Sequence, residues 1–194
     1  AKSDAAAMVA AVDALCTASR PVIYGGGGLI NSGREACDLF RQLVEASGAP
    51  CTLTLMGLGA FPASSKQWLG MLGMHGTYEA NMAMHHSDVI LAVGARFDDR
   101  VTNNTAKFCP NAKIIHIDID PAAISKTVRV DIPIVGAVEP VLTEMLALVK
   151  AADARPDAEA VKTWWDQIEQ WRARHGLRYE APAPGQMKPQ QVVE

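Results

Sequence analysis

Disulfide spacing, metal-ligand spacing, membrane-length apolar runs and an excess of one charge are all missing from this sequence, and each absence removes a class of protein. The 194 residues hold four cysteines, Cys16, Cys37, Cys51 and Cys109, scattered through apolar stretches with no C-x-x-C spacing. That spread suits small core residues kept reduced in the cytoplasm, or in a plastid or mitochondrial matrix if the source is eukaryotic, rather than a disulfide frame or a zinc site. No apolar run reaches the roughly 18 to 20 residues that cross a bilayer. The opening segment AKSDAAAMVAAVDALC has neither the basic start nor the continuous apolar stretch of a secretory leader. Lys and Arg number 18 against 21 Asp and Glu, a net charge of −3, so there is no electrostatic case for nucleic acid or an anionic membrane. Nucleophile elbows, Walker motifs and serine–histidine pairings at recognisable spacing are also missing. What is present, 49% hydrophobic and 20% charged residues, is enough to bury a sizeable core.

Apolar periodicity organises the chain. Met8, Val9, Val12, Leu15 and Cys16 predict a helix capped by Ser3 or Asp4 and ended by Arg20-Pro21. PVIYGGGG reads as a buried strand running into glycines. Ser32 and Glu35 predict a capping box for a helix with Ala36, Phe40, Leu43 and Val44 on one face, stopped by Gly48 and Pro50. CTLTL (51–55), DVILAVG (88–94), AKIIHIDID (112–120) and IPIVG (132–136) read as further strands, with TYEANMAMHHS a helix ahead of the second of these. Pro140 suits the first residue of a helix carrying Val141, Leu142, Met145, Leu146 and Val149. Strands alternating with helices, most of them apolar on both faces, predict an α/β fold, a Rossmann-like doubly wound parallel sheet. Past residue 152, ADARPDAEA reads as a polar hinge, followed by a helix with Val161, Trp164, Trp165, Ile168 and Trp171 along one stripe. That stripe fits either the domain's own sheet or a foreign surface, and APAPGQMKPQQVVE reads as linker. The expected division is an α/β domain over 1–152 and a Trp-rich helix and linker over 153–194, leading toward a further domain.

In such a sheet ligands bind beyond the carboxyl ends of the strands. Those ends carry GGGG, TLMG, GARFDDR, DIDP and VGAV. The run Gly25 to Gly28 lets backbone come close to a bulky or anionic group, with the next helix N-terminus adding partial positive charge. It is no dinucleotide fingerprint: Ile30 stands where G-x-G-x-x-G wants its last glycine, and no strand-end acid lies about 20 residues on. Asp118 and Asp120 close a strand where a carboxylate can accept from ribose hydroxyls, or can simply cap a helix at Ala122. His75, His85 and His86 have no metal-ligand spacing, and Asp98-Asp99 is flanked by Arg96 and Arg100, which compete with magnesium for the carboxylates. The residues describe a binder of a nucleotide-like ligand without chemistry of its own.

TLMGLGAFP (54–62), LGMHGTYEANMAM (72–84), VGARFDDRVTNN (93–104) and IIHIDIDPA (114–122) together closely resemble the central domain of the acetohydroxyacid (acetolactate) synthase catalytic subunits, thiamine-diphosphate enzymes. The resemblance runs from about Arg20 to Glu194, and MKPQQVVE is similar to the opening of that family's C-terminal domain. It implies a middle domain of the FAD/NAD-binding-like class that binds FAD, in a parent enzyme that condenses pyruvate with pyruvate or 2-ketobutyrate in branched-chain amino-acid synthesis. By motif, Gly26, Gly27, Gly28, Thr54, Leu55 and Met56 would line the flavin's path, and Leu72, Gly73, Met74 and His75 would pass near its ring or ribityl chain. Gly94, Arg96, Asp98, Arg100 and Val101 match the main flavin-contacting segment, while Asp118 and Ile119 would approach the adenosine end. Arg96 and Arg100 would face the pyrophosphate or ribityl region, with Asp98 and Asp99 holding their guanidiniums and Phe97 anchoring the loop. Thiamine diphosphate and magnesium would be bound by the N- and C-terminal domains of the same subunit, outside this chain, so the chain alone is expected to be inactive. The parent is expected to be a homo-oligomer, with or without a regulatory subunit. Where the family commonly has Gly-Asp-Ala or Gly-Asp-Val, this chain has Gly136-Ala137-Val138, which removes an acceptor from the adenosine end. Two other readings stand beside this one: a related thiamine-diphosphate enzyme whose middle domain holds ADP or another nucleotide, and a purely structural bridging domain.

Overall fold

Six parallel strands, β1 (Pro21–Gly25), β2 (Cys51–Leu53), β3 (Trp68–Met71), β4 (Val89–Val93), β5 (Lys113–Asp118) and β6 (Ile132–Val135), form one sheet in the order 3-2-1-4-5-6. This is a computed structural model, and it describes residues 4–152 and 157–193. The helices are α1 (Ala5–Thr17), α2 (Gly27–Ser32), α3 (Arg34–Ser47), α4 (Tyr78–His86), α5 (Asp99–Thr102), α6 (Val138–Ala151), α7 (Ala158–Arg172) and α8 (Pro189–Val193). The Rossmann-like class expected from the periodicity is the one observed. The order reverses between β1 and β4, which creates a switch point at their carboxyl ends.

Both faces of the sheet are covered. Met8, Phe40, Leu43, Leu142 and Met145 pack α1, α3 and α6 on one side, together with Ile23, Leu53, Leu91 and Ile115 from the strands. Val22, Tyr24, Ile90, Ala92 and Ile114 face the other side, against Ala80, Met84, Trp164, Ile168 and Trp171 of α4 and α7. The tryptophan stripe thus packs on this domain, and Trp164 donates its indole N–H to the Pro21 carbonyl at 3.2 Å. Of the polar hinge expected over 152–160, residues 153–156 lie outside the described residues, while Asp157 is the N-cap of α7 and 158–160 already belong to that helix. The Arg172 guanidinium, at the end of α7, donates to the carbonyl of Lys66, just before edge strand β3, and to that of Trp68, its first residue, at 2.8 and 2.6 Å.

Several local expectations are corrected. β3 has no counterpart among the strands that the sequence predicts. Ser32 and Glu35 form no capping box: α2 ends at Ser32, whose hydroxyl turns back to the Gly28 carbonyl at 2.7 Å, and Gly33 is the N-cap of α3 without a side-chain bond. β2 stops at Leu53, because Thr54 caps a 3-10 turn over Leu55–Gly57. Val9 is 59% exposed and not part of the core stripe. Ala122 opens no helix, although Asp120 does accept its N–H at 2.9 Å. Pro140 is the third residue of α6 rather than the first, a place it can occupy because first-turn N–H groups have no intrahelical acceptor.

Ala137, the departure from the family pattern, turns out to be the N-cap of α6, and it brings no side-chain oxygen to the first turn. An aspartate there would accept one of the free N–H groups and meet the helix dipole favourably. Ala137→Asp is therefore expected to stabilise the chain by about 0.5 to 2 kcal/mol in urea denaturation. An unchanged or lower midpoint would show that the cap geometry is not available.

Candidate functional site

The carboxyl ends of β1, β2 and β4 open into a cavity of about 740 Å³, within the range of about 300 to 1,000 Å³ usual for ligand sites. It lies at the switch point. Gly27 and Gly28 line it from the turn after β1, Thr54, Leu55 and Met56 from the turn after β2, and Gly94, Arg96, Asp98, Arg100 and Val101 from the segment after β4.

Glycine makes the first wall. The Gly26 N–H donates to Val93 O at 2.9 Å and the Gly28 N–H to Gly94 O at 3.0 Å, while the Gly94 N–H reaches Ile117 O at 2.8 Å. A Cβ on Gly28 would stand 2.7 Å from the Gly94 Cα. The close approach that the glycine run permits is thus to the turn after β4, and these two N–H groups are already used within the protein. Thr54 fixes the second wall: its N–H donates to Gly25 O at 2.9 Å and its hydroxyl accepts from the Gly57 N–H at 3.0 Å. Beyond it, Leu55 and Met56 stand 67% and 71% exposed, an apolar lip on the opening.

The third wall carries the charge. Asp98 caps α5, accepting from the Arg100 N–H, and its other oxygen accepts from the Arg96 guanidinium at 3.1 Å. A side-chain hydrogen bond from Asp99, then the Arg100 N–H, hold the Asp98 carboxyl below its ordinary range, with Arg96 adding to the effect. Asp99 does not grip the Arg100 guanidinium as expected: its carboxylate accepts from the backbone N–H of Arg100 at 3.0 Å. Among the described residues the Arg100 guanidinium forms no ion pair, and Arg96 is paired but keeps a side chain 79% exposed. One free and one exposed cation at the mouth of a cavity can bind an anion by charge-assisted hydrogen bonds.

The other expected residues are placed apart from the cavity. Gly26 is buried in the turn itself. The Leu72–His75 segment sits behind α5, with the Met74 N–H on Arg100 O at 3.0 Å and the Asn81 amide bracketing Gly73 at 3.0 and 3.2 Å. Leu72 instead lines a smaller cavity of about 270 Å³ with Val101 and Asn81, while Met74 and His75 are exposed. Asp118 accepts from the Asp120 N–H at 2.9 Å, one strand beyond the switch point, and Ile119 is 70% exposed. Conversely, Tyr24, Ile30, Asn31, Ala95, Phe97 and Asp99 line the cavity without having been among the expected contacts. Asn31 had a usable signal, since it follows Gly27 and Gly28 by four and three residues and so shares their face of a helix.

Residues 8–145 match the family model described as thiamine pyrophosphate enzyme, central domain. Over 184 residues, 95% of the chain, it is 55% identical to a protein of Escherichia coli strain K12 named acetolactate synthase isozyme 3 large subunit, covering 32% of that protein. It is 50% identical over 184 residues to the acetolactate synthase large subunit of Haemophilus influenzae, covering 31% of it, and 43% identical over 180 residues to the acetolactate synthase of Mycobacterium bovis, covering 29%. The chain spans about a third of the length of the relatives it matches.

Proposed function

The chain belongs to the thiamine pyrophosphate enzyme central-domain family, and from that premise we propose that it is the flavin-adenine-dinucleotide-binding middle domain of an acetolactate synthase large subunit. One observation carries the reading: the Arg96 and Arg100 guanidiniums stand at the mouth of a switch-point cavity whose opposite lip is Leu55 and Met56. The donor set fits the group. Cations suit a diphosphate, the Thr54, Asn31 and Gly27 polar groups suit a ribityl or ribose chain, and an exposed apolar lip suits a flat ring.

Within this reading the residues bind and orient. Arg100 supplies charge that no carboxylate among the described residues neutralises, and Asp98 holds Arg96 while ending the loop in a short helix. Leu72 to His75 and Asp118 to Ile119 would meet the outlying parts of the dinucleotide beyond the cavity. Flavin brings a redox-capable ring that the condensation of two 2-keto acids does not consume. Thiamine diphosphate and magnesium belong to the N- and C-terminal domains of the same subunit, which are this domain's principal partners. The parent works in the cytoplasm as a homo-oligomer, with or without a regulatory subunit, and this chain alone does not catalyse the condensation.

Calorimetric titration of the chain with FAD, against ADP and NAD as controls, tests the proposal. Micromolar or tighter FAD binding is expected, weakened about tenfold to a hundredfold by Arg96→Ala, the range set by a charge-assisted hydrogen bond. A cooperatively melting chain that ignores FAD would instead favour a bridging domain, and a preference for ADP would favour a nucleotide-binding relative.

A further inference from the structure

One row of the sheet sets up an aromatic clamp. Strand register aligns Tyr24 on β1 with Ala92 on β4, and Ala92 with His116 on β5. All three side chains face the α4 and α7 side, as their alternation with Ile23, Leu91, Ile115 and Ile117 requires. Strands lie about 4.8 Å apart, so the Ala92 methyl leaves a slot between two rings roughly two strand spacings from each other. Phe97 fills it. Its ring lies 5.7 Å from Tyr24 and 5.1 Å from His116, with Phe108 closing a third side at 6.0 Å. The His116 and Phe108 contacts are edge-to-face, at 86° and 79°, which is directional packing rather than simple space filling.

Phe97 also bears an unusual backbone. Its φ of 52° is one that residues with a Cβ seldom adopt, and such a conformation persists only where the surroundings over-determine it. The clamp supplies that determination: Phe97 is 2% exposed, while Arg96 and Asp98 on either side are exposed and line the cavity. Space filling alone does not explain the clamp. Among the described residues the Tyr24 hydroxyl makes no hydrogen bond, and His116 Nε2 lies 3.8 Å from the Asp118 carboxylate, beyond hydrogen-bond reach, a cost that apolar rings at these positions would avoid. Burial holds His116 below its ordinary pKa, partly opposed by the Asp118 carboxylate 3.8 Å away and by the Ala95 backbone, so the clamp is neutral near pH 7.

We propose that Phe97, gripped by Tyr24 and His116 above Ala92, is the positioning residue that fixes the Arg96–Arg100 rim of the cavity. The inference rests on the dinucleotide reading only for its affinity arm. Its other arm is the loop itself, whose Thr102 and Asn103 amides donate to Asp98 O and Asp99 O at 3.0 and 2.8 Å.

The test compares wild type, Phe97→Ala, and Phe97→Ala combined with Ala92→Leu, which refills the slot from below without tethering the loop. Phe97→Ala is expected to speed hydrogen exchange at Thr102 and Asn103 at least tenfold and to weaken FAD binding by a similar factor. The double variant should regain melting temperature but neither of the other two properties. If Phe97→Ala fails to fold, Phe97→Leu, which keeps apolar bulk without a ring face, takes its place with the same expectations. Unchanged exchange in the single variant, or exchange restored together with melting temperature in the double, overturns the proposal. Should wild type bind no FAD, the dinucleotide reading falls, and the exchange arm decides this one alone.

Discussion

Gly26→Ala is expected to cost the chain about 3 kcal/mol or more, at the upper end of what overpacking does. The added Cβ would fall on the Gly94 carbonyl oxygen and lie 2.6 Å from the Ala95 Cα, so every obstacle is backbone. No side chain can swing away, and relief requires parting the turns after β1 and β4, on which two cavity walls are built. The backbone angle is not at fault, because Gly26 has a φ of −115° that alanine accepts. One residue on, Gly27→Ala would meet the Met56 Cβ at 3.0 Å, a contact that a shift of a few tenths of an ångström relieves, and should cost markedly less. Urea melts of the two variants make the comparison. Equal midpoints would mean that the interlocked turns yield more easily than their geometry implies.

Trp164→Ala should lose about 3 to 5 kcal/mol, the range for emptying a large buried aromatic site. The indole is 2% exposed, lies edge-on to Trp171 at 5.7 Å, and satisfies the Pro21 carbonyl at the start of a central strand. Trp165, half-buried on the same helix with a longer bond of 3.3 Å to Gly48 O, should cost markedly less. Thermal and urea unfolding of both variants, in full-length chain, would read the difference. A mild effect at Trp164 would mean that α7 is an appendage rather than part of the core.

Most of the sheet was legible because buried parallel strands announce themselves as short apolar runs, as PVIYG and VILAV do. β3 escaped because its four residues, Trp68–Met71, include Gly70 at a φ of 96°, and only Leu69 among them is fully buried. The Ser32–Glu35 pairing misled for a local reason: Gly33 ends one helix and begins the next, so Ser32 belongs to the helix before it. Cavity-lining residues next to a strand end, such as Gly28, Thr54 and Arg96, could be placed from sequence, since a parallel sheet gathers those ends on one edge. Tyr24 could not. Its bearing on the site comes from its alignment with Ala92 and His116, and register between strands about 70 and 90 residues apart is not written in either strand.

A parallel sheet has no internal reason to stop growing, since each outer strand offers an unpaired row of backbone groups to any extended segment that arrives. Here the two ends stop differently. On β6, Pro133 withholds an N–H from the outer row. At β3, the Arg172 guanidinium already occupies the Trp68 carbonyl and that of Lys66 just before the strand, both of which a newcomer would need. The helix that completes the core with its tryptophans therefore also makes the sheet finite, and a chain cut short of Arg172 would expose a template for strand-by-strand association between molecules.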